Sequence, residues 1–207
     1  MPNFLLEKSI KGDVVGIDEV GRGSWAGPVV SCAVLIREKK IKGELFHLIK
    51  DSKDLSSKSR IDIYKKILND SSFVIGVGIS SVDEIDKLNI QEATFLSMKR
   101  AFDNLRASNL GDIKLILVDG NKAPNFSCDV KCIIRGDQKS LSISSASIMA
   151  KVTRDRMMIK LSEKFPGYGW ETNMGYGTIK HKKALSRLGV NKLHRKSFKP
   201  IKSILEK

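Results

Sequence analysis

The chain has 207 residues, 41% of them hydrophobic and 29% charged, and its 37 Lys and Arg outnumber 23 Asp and Glu for a formal charge of +14. That length suits one domain around one hydrophobic core, and no apolar run approaches the roughly 18 residues of a membrane span. Residues 1–11 lack a signal-peptide core, so a cytoplasmic address is expected, and the positive charge points to a polyanion such as nucleic acid rather than lipid, since no amphipathic basic helix stands out.

Taken in chain order, the strand signals are Asp13 to Val20, with moderate alternation, and Val29 to Ile36, a β-rich run after Gly27-Pro28. A helix capped by Ser57 or Ser59 runs to about Asn69 with Ile61, Tyr64 and Leu68 on one face. Phe73 to Ser80 is a third strand, whose two glycines thin it and let something pack close. Asn89 caps a longer helix in which Phe95, Met98, Phe102 and Leu105 recur at helical spacing. Lys114 to Val118 and Val130 to Ile134 complete five strands. Ser142 to Lys164 is a helix, apolar first and charged later, and Thr178 to Leu188 is another, ended by Gly189.

This order predicts an α/β domain, a mixed five-stranded sheet flanked by helices, over residues 1–189. The basic tail 190–207 is expected to form a small helical annex packed on it. The cysteines, Cys32, Cys128 and Cys132, form no Cys-x-x-Cys pair and suggest neither a disulfide framework nor a zinc site. Cys32 and Cys132 lie in apolar runs and read as small core residues.

The acids fall in a pattern. Asp18-Glu19 closes the first strand and is followed by Gly21-Arg22-Gly23. Asp119 closes the fourth strand, and Asp137 follows the fifth in Arg135-Gly136-Asp137. Each of these is also compatible with a plain turn. Together they place acids at the carboxyl ends of several strands, where ligands of open α/β sheets gather. Four carboxylates balance two Mg²⁺ ions, and two such ions about 3.5–4 Å apart clamp both the attacking and the leaving oxygen of a phosphodiester. Mg²⁺ takes oxygen ligands, so His47, His181 and His194 are not needed. Neighbours on an ideal strand face opposite ways, so Asp18 and Glu19 share a site only where the strand ends or bulges. Asp155, mid-helix, reads as an ion-pairing surface acid, and Asp51 and Asp54 as turn residues.

Gly16-Ile17-Asp18-Glu19-Val20-Gly21-Arg22-Gly23 resembles the signature of bacterial type 2 ribonuclease H, ribonuclease HII. Asp51-Ser52-Lys53, Leu88-Asn89-Ile90, Val118-Asp119-Gly120-Asn121, Gly136-Asp137, Ser144 to Asp155, Gly175-Tyr176-Gly177-Thr178 and His194-Arg195-Lys196-Ser197-Phe198 extend the resemblance in the same order to residue 198. It implies a ribonuclease H-like fold and endonucleolytic cleavage of the RNA strand of RNA–DNA hybrids. It also implies nicking 5′ of single ribonucleotides embedded in duplex DNA, with roles in ribonucleotide excision repair and primer removal. The implied chemistry is hydrolysis with two divalent ions, Mg²⁺ or Mn²⁺, giving a 5′-phosphate and a 3′-hydroxyl. The implied catalytic and metal-binding residues are Asp18, Glu19, Asp119 and Asp137.

The same resemblance puts ribose 2′-hydroxyl contacts on Gly21, Arg22 and Gly23, junction sensing on Tyr176, and phosphate contacts on Lys53 and Asn89. Each has a plainer reading as well. Gly-Arg-Gly serves as a tight connection, with Arg22 holding a phosphate or reinforcing the sugar contact. Tyr176 is an exposed aromatic on a flexible loop, Lys53 solvates its loop, and Asn89 caps a helix. The small residues Ser144 to Ser147 offer N–H donors or permit close packing under the sheet. A type 3 enzyme carries an extra N-terminal domain, for which the 15 residues before Gly16 leave no room. The implied partners are hybrid duplexes and ribonucleotide-bearing DNA, with no membrane, and the chain is expected to act as a monomer. Two rivals stand beside this reading: a DNA-directed metal nuclease of the same fold, resolvase-like, and a non-catalytic nucleic-acid-binding module.

Overall fold

The structure, a computed structural model, describes residues 2–37, 43–50, 56–108 and 110–206. The expected Asp51-Ser52-Lys53 phosphate contact therefore lies outside the described residues. Five strands, β1 (Asp13–Val20), β2 (Val29–Ile36), β3 (Phe73–Ser80), β4 (Ile113–Asp119) and β5 (Asp129–Ile133), form one sheet in the order β3-β2-β1-β4-β5. β1 and β3 run antiparallel to β2, whereas β1, β4 and β5 are parallel. The described helices are α1 (Leu5–Lys8), α2 (Gly43–Lys50), α3 (Ser57–Leu68), α4 (Val82–Leu88), α5 (Ile90–Arg106), α6 (Leu141–Lys164), α7 (Trp170–Asn173), α8 (Ile179–Leu188) and α9 (Lys199–Leu205). None is long and apolar enough to cross a membrane.

The alternation of β1 divides the core. Val15 and Ile17 join Ala33, Leu35, Met98, Phe102 and Leu105 beneath α5. On the opposite face Cys32 and Val34 pack with Leu141, Ala146, Met149 and Ala150 of α6 and with Ile63 and Ile67 of α3. Glycines set both spacings. A Cβ on Gly16 would lie 2.3 Å from the Ser142 carbonyl carbon, and one on Gly78 would lie 1.9 Å from the Ser97 carbonyl oxygen. Thus the helices rest almost directly on strand backbone. The small residues at the start of α6 serve this approach: Ser142, Ser144, Ser145 and Ala146 are all buried.

Three readings need correction. The N-cap of α3 is Ser56, whose side chain accepts from the Ser59 N–H. Its buried face is Ile63 and Ile67, while Ile61 and Leu68 are exposed; apolar residues lie at helical spacing on both sides of this helix, and contact with α6 selects one. Cys132 is exposed rather than core. It sits on edge strand β5, and the helix on its face, α5, packs on β3 and β2 at the far side of the sheet.

Residues 190–198 run alongside the β1–β2 connection. Gly27 N–H donates to Leu193 O, Arg195 N–H to Trp25 O, and Ala26 pairs with His194. Then α9 follows, with Pro200 in its first turn and Ile201 buried. The tail thus packs against the main body as part of a cluster with Trp25, Tyr168 and Trp170.

Candidate active site

Strand register brings the acids together. β1 pairs with β4 as far as Ile17 opposite Val118, so Asp18 and Asp119 are the next residues on two adjacent parallel strands. β1 itself continues to Val20 along β2. From Asp18 onward β1 is therefore free of the β4 ladder without a break in β1 itself. Asp119 Oδ1 accepts from the Gly136 N–H at 2.6 Å, which ties the end of β4 to the 3₁₀ turn Gly136–Gln138 that carries Asp137. The four carboxylates form one line of electrostatic contact: Asp18 with Glu19 and Asp119, Glu19 with Asp119, and Asp119 with Asp137.

Burial and like charge cost Asp18, Glu19 and Asp119 their ordinary titration. Burial first, then Glu19 and Asp119, hold the Asp18 carboxyl well above the usual carboxylate range, against hydrogen bonds from Ser147 and the Glu19 N–H. Glu19 and Asp119 are raised as well, each chiefly by burial. Glu19 Oε1 is held by Arg22 Nη1 at 3.0 Å, and Arg22 Nη2 reaches Gln91 Oε1 at 3.1 Å. Glu19 Oε2 is buried without a partner. Among the described residues no three His, Cys, Asp or Glu side chains close into a cage by themselves; Glu19 is turned onto Arg22 and Asp119 onto the Gly136 N–H. An orphaned buried carboxylate oxygen inside a row of like charges fits a hard divalent cation, which takes oxygen ligands and keeps part of its water.

Two buried arginines hold the Gly-Arg-Gly turn and the segment that follows it. Arg195 donates to the carbonyls of Gly21, Arg22 and Gly27. Arg154 donates to Pro28 O, Ala26 O, Met174 O and Ser24 Oγ. Gly21 has φ +94°, and a Cβ there would lie 2.1 Å from Arg154 Nε, so both backbone and space demand glycine. Burial and the Arg154 charge push Arg195 down to about 9, and burial lowers Arg154 too. Both stay cationic at neutral pH. Their hydrogen bonds go to carbonyls and one hydroxyl.

Tyr176 stands beside this turn. A Cβ on Gly23 would come within 3.9 Å of Tyr176 Cε1, and the Arg154 guanidinium lies 5.6 Å from the tyrosine ring centre. Tyr176 is 36% exposed, yet its loop is pinned: Trp25 N–H donates to Gly175 O, Gly175 N–H to Asn173 Oδ1, and Tyr176 N–H to Asn173 O. These bonds tie the loop to Trp25 and Asn173. Asn89, at φ 72°, caps α5 by accepting from the N–H groups of Gln91 and Glu92, and its side chain is exposed.

Sequence reasoning left Arg154, Arg195, Gln91, Ser147, His181 and His194 without a role at the site. For Arg154 a signal exists: Ala150, Arg154 and Met158 recur at helical spacing and all three are buried. An arginine within an apolar stripe marks a structural cation. Arg195, Gln91 and Ser147 act on Gly21, Arg22 and Asp18, partners distant in sequence, while His181 meets Trp170 and His194 at separations of 11 and 13 residues that no helix or strand period marks.

The Ribonuclease HII family model matches residues 15–201, which span the acids, the Gly-Arg-Gly turn and Tyr176. The chain belongs to the ribonuclease HII family. It is 47% identical to a ribonuclease HII of Jannaschia sp. over 99% of this chain and 98% of that one. Among solved structures, the ribonuclease H2 of Pyrococcus horikoshii superposes with a TM-score of 0.68 at 25% identity, covering 94% of this chain and 97% of that one. A Bst ribonuclease HIII solved in complex with Mn²⁺ superposes with a TM-score of 0.76 at 20% identity, covering all of this chain and 73% of that one. As a ribonuclease HII, the chain is an endoribonuclease that acts on RNA–DNA hybrids, and nucleic acid is its partner.

Proposed function

We propose that this ribonuclease HII acts in the cytoplasm, as a monomer, on the RNA strand of hybrids and on single ribonucleotides embedded in duplex DNA. It nicks 5′ of the ribonucleotide and leaves a 5′-phosphate and a 3′-hydroxyl, as removal of primers and misincorporated ribonucleotides requires. Asp18, Glu19, Asp119 and Asp137 would hold two divalent cations, Mg²⁺ or Mn²⁺, which when bound would supply a nucleophilic water near neutral pH and charge stabilisation for the departing 3′-oxygen.

The chain's own groups do the rest. Ser147 and the Glu19 N–H orient the Asp18 carboxylate. Main-chain groups of Gly21, Arg22 and Gly23 meet the ribose 2′-hydroxyl, the one group that separates RNA from DNA. A site built to hydrogen-bond a hydroxyl rejects its deoxy analogue by about 10⁴ or more. Tyr176, against Gly23, stacks on the neighbouring sugar and reads whether a hydroxyl is present there. Arg195 holds the turn, Arg154 holds the segment Ser24 to Pro28 after it, and both add positive charge behind it. Asn89 contributes its exposed amide to a phosphate while its carbonyl oxygen caps α5, and Lys53 is assigned to a second phosphate.

The observation that carries this reading is adjacency: the turn begins three residues after Asp18, and Gly23 faces Tyr176. A duplex with one ribonucleotide, incubated with Mg²⁺ or Mn²⁺, is expected to be nicked on the 5′ side of that residue, while an all-DNA duplex stays intact. Equal cutting of both duplexes would favour a DNA-directed nuclease instead.

A further inference from the structure

Behind the Tyr176 loop lie two buried histidines, His181 of α8 and His194 of the tail. Their Nε2 atoms are 3.2 Å apart. The neighbours dictate which nitrogen carries each proton. Trp170 Nε1, 3.1 Å from His181 Nε2, can only donate. The Tyr176 carbonyl, 3.0 Å from His181 Nδ1, can only accept. His181 is therefore neutral, with its proton on Nδ1. Its Nε2 lone pair, which accepts from Trp170, is shared with the His194 Nε2–H in the tautomer that leaves His194 Nδ1 to accept from the Asn191 N–H. His194 Nδ1 in turn accepts from the Asn191 N–H at 3.1 Å, with Asn191 Oδ1 also 3.1 Å away and accepting from the Leu193 N–H. Burial, with His181 beside it, pushes His194 down to about 4, which agrees with a neutral pair.

The relay thus runs from Asn191 through His194 and His181 to the Tyr176 carbonyl, with Trp170 fixing its middle. The same tail segment carries Arg195, which grips the Gly21 and Arg22 carbonyls. One strip of chain, Asn191 to Arg195, accordingly contacts both the Gly-Arg-Gly turn and, through His181, the Tyr176 loop.

We propose that His181 and His194, locked in complementary tautomers, are positioning residues that set the Tyr176 ring against Gly23 and so determine selectivity for single embedded ribonucleotides. The proposal rests on Tyr176 as the junction reader. Asparagine at position 181 keeps an N–H donor where Nδ1 stands, whereas glutamine places its amide where Nε2 stands and withdraws the donor from Tyr176. In His181→Gln the rate on a single-ribonucleotide duplex, relative to a long hybrid, is expected to fall about tenfold, the scale of one lost hydrogen bond. His181→Asn is expected to restore most of that ratio.

Long-range ¹H–¹⁵N spectra of the unmutated protein are expected to show His181 protonated at Nδ1 and His194 at Nε2, a readout that no folding defect obscures. A proton on His181 Nε2 would overturn the proposal. An unchanged ratio in His181→Gln beside a selective loss in Tyr176→Ala would also overturn it, while leaving the tyrosine reading intact. Equal losses on both substrates in Tyr176→Ala would remove the tyrosine reading, and the positioning role with it.

Discussion

At Asp18 the proposed cation-binding role and stability oppose each other at a single side chain. It is 7% exposed, lies beside two other carboxylates, and has its pKa raised by burial before all else. Ionised, it destabilises the folded state of the cation-free protein. Asp18→Asn removes that charge while its amide oxygen still accepts from the Glu19 N–H, 2.7 Å from Oδ1 in the unmutated chain. The variant is expected to melt several degrees higher than the parent in EDTA, by scanning calorimetry, and to lose cleavage by about 10³-fold or more, the scale of several kcal/mol of lost charge stabilisation. A melting point below that of the parent would refute the assigned repulsion. Asp18 and Glu19 were legible in the sequence because two acids before a Gly-Arg-Gly turn form a compact local pattern. Arg195 was not, because its acceptors on Gly21, Arg22 and Gly27 are more than 160 residues away.

At the level of elements, close packing of helix on strand governs the architecture. Gly76 and Gly78 of β3 announce it in the sequence, since glycines inside a strand otherwise only weaken it. An added Cβ would sit 2.0 Å from Ala101 O at Gly76 and 1.9 Å from Ser97 O at Gly78, both backbone atoms of α5. Gly78→Ala must therefore push α5 outward, with an expected cost of about 1–3 kcal/mol in a urea titration; a cost within 0.5 kcal/mol, the scatter of neutral surface changes, would contradict that packing. The five strands and the long helices were legible from period and caps. The buried face of α3 was not, because Ile61 and Leu68 are spaced as regularly as Ile63 and Ile67, and only tertiary contact decides between them. Cys132 was misread for a related reason: composition marks an apolar strand but not its place at the edge of the sheet.

Across the whole molecule, the tail and the sheet act as one structure, and acid should show it. His194 titrates at about 4 in the folded chain, against an ordinary value near 6.5. Between these values the unfolded chain binds a proton that the folded chain refuses, so stability falls as pH drops from about 6.5 to about 4. His181, also lowered by burial, acts in the same direction. The expected loss at His194 is about 3 kcal/mol over that window. Measured against His194→Gln, which lacks the titrating group, the parent should show the steeper decline in unfolding free energy; parallel profiles would contradict the buried neutral pair.

The organisation of the site at this scale depends on β1, β4 and the turn after β5 bringing acids from residues 18 to 137 to one end of the sheet. The most direct measurement is the single-turnover cleavage rate of Asp119→Asn on a one-ribonucleotide duplex, with enzyme in excess and Mg²⁺ present. If Asp119 works with Asp18 and Glu19 as one centre, cleavage falls by about 10³-fold while duplex binding is retained. A variant that still cuts within tenfold of the parent rate would show that the chemistry lies elsewhere.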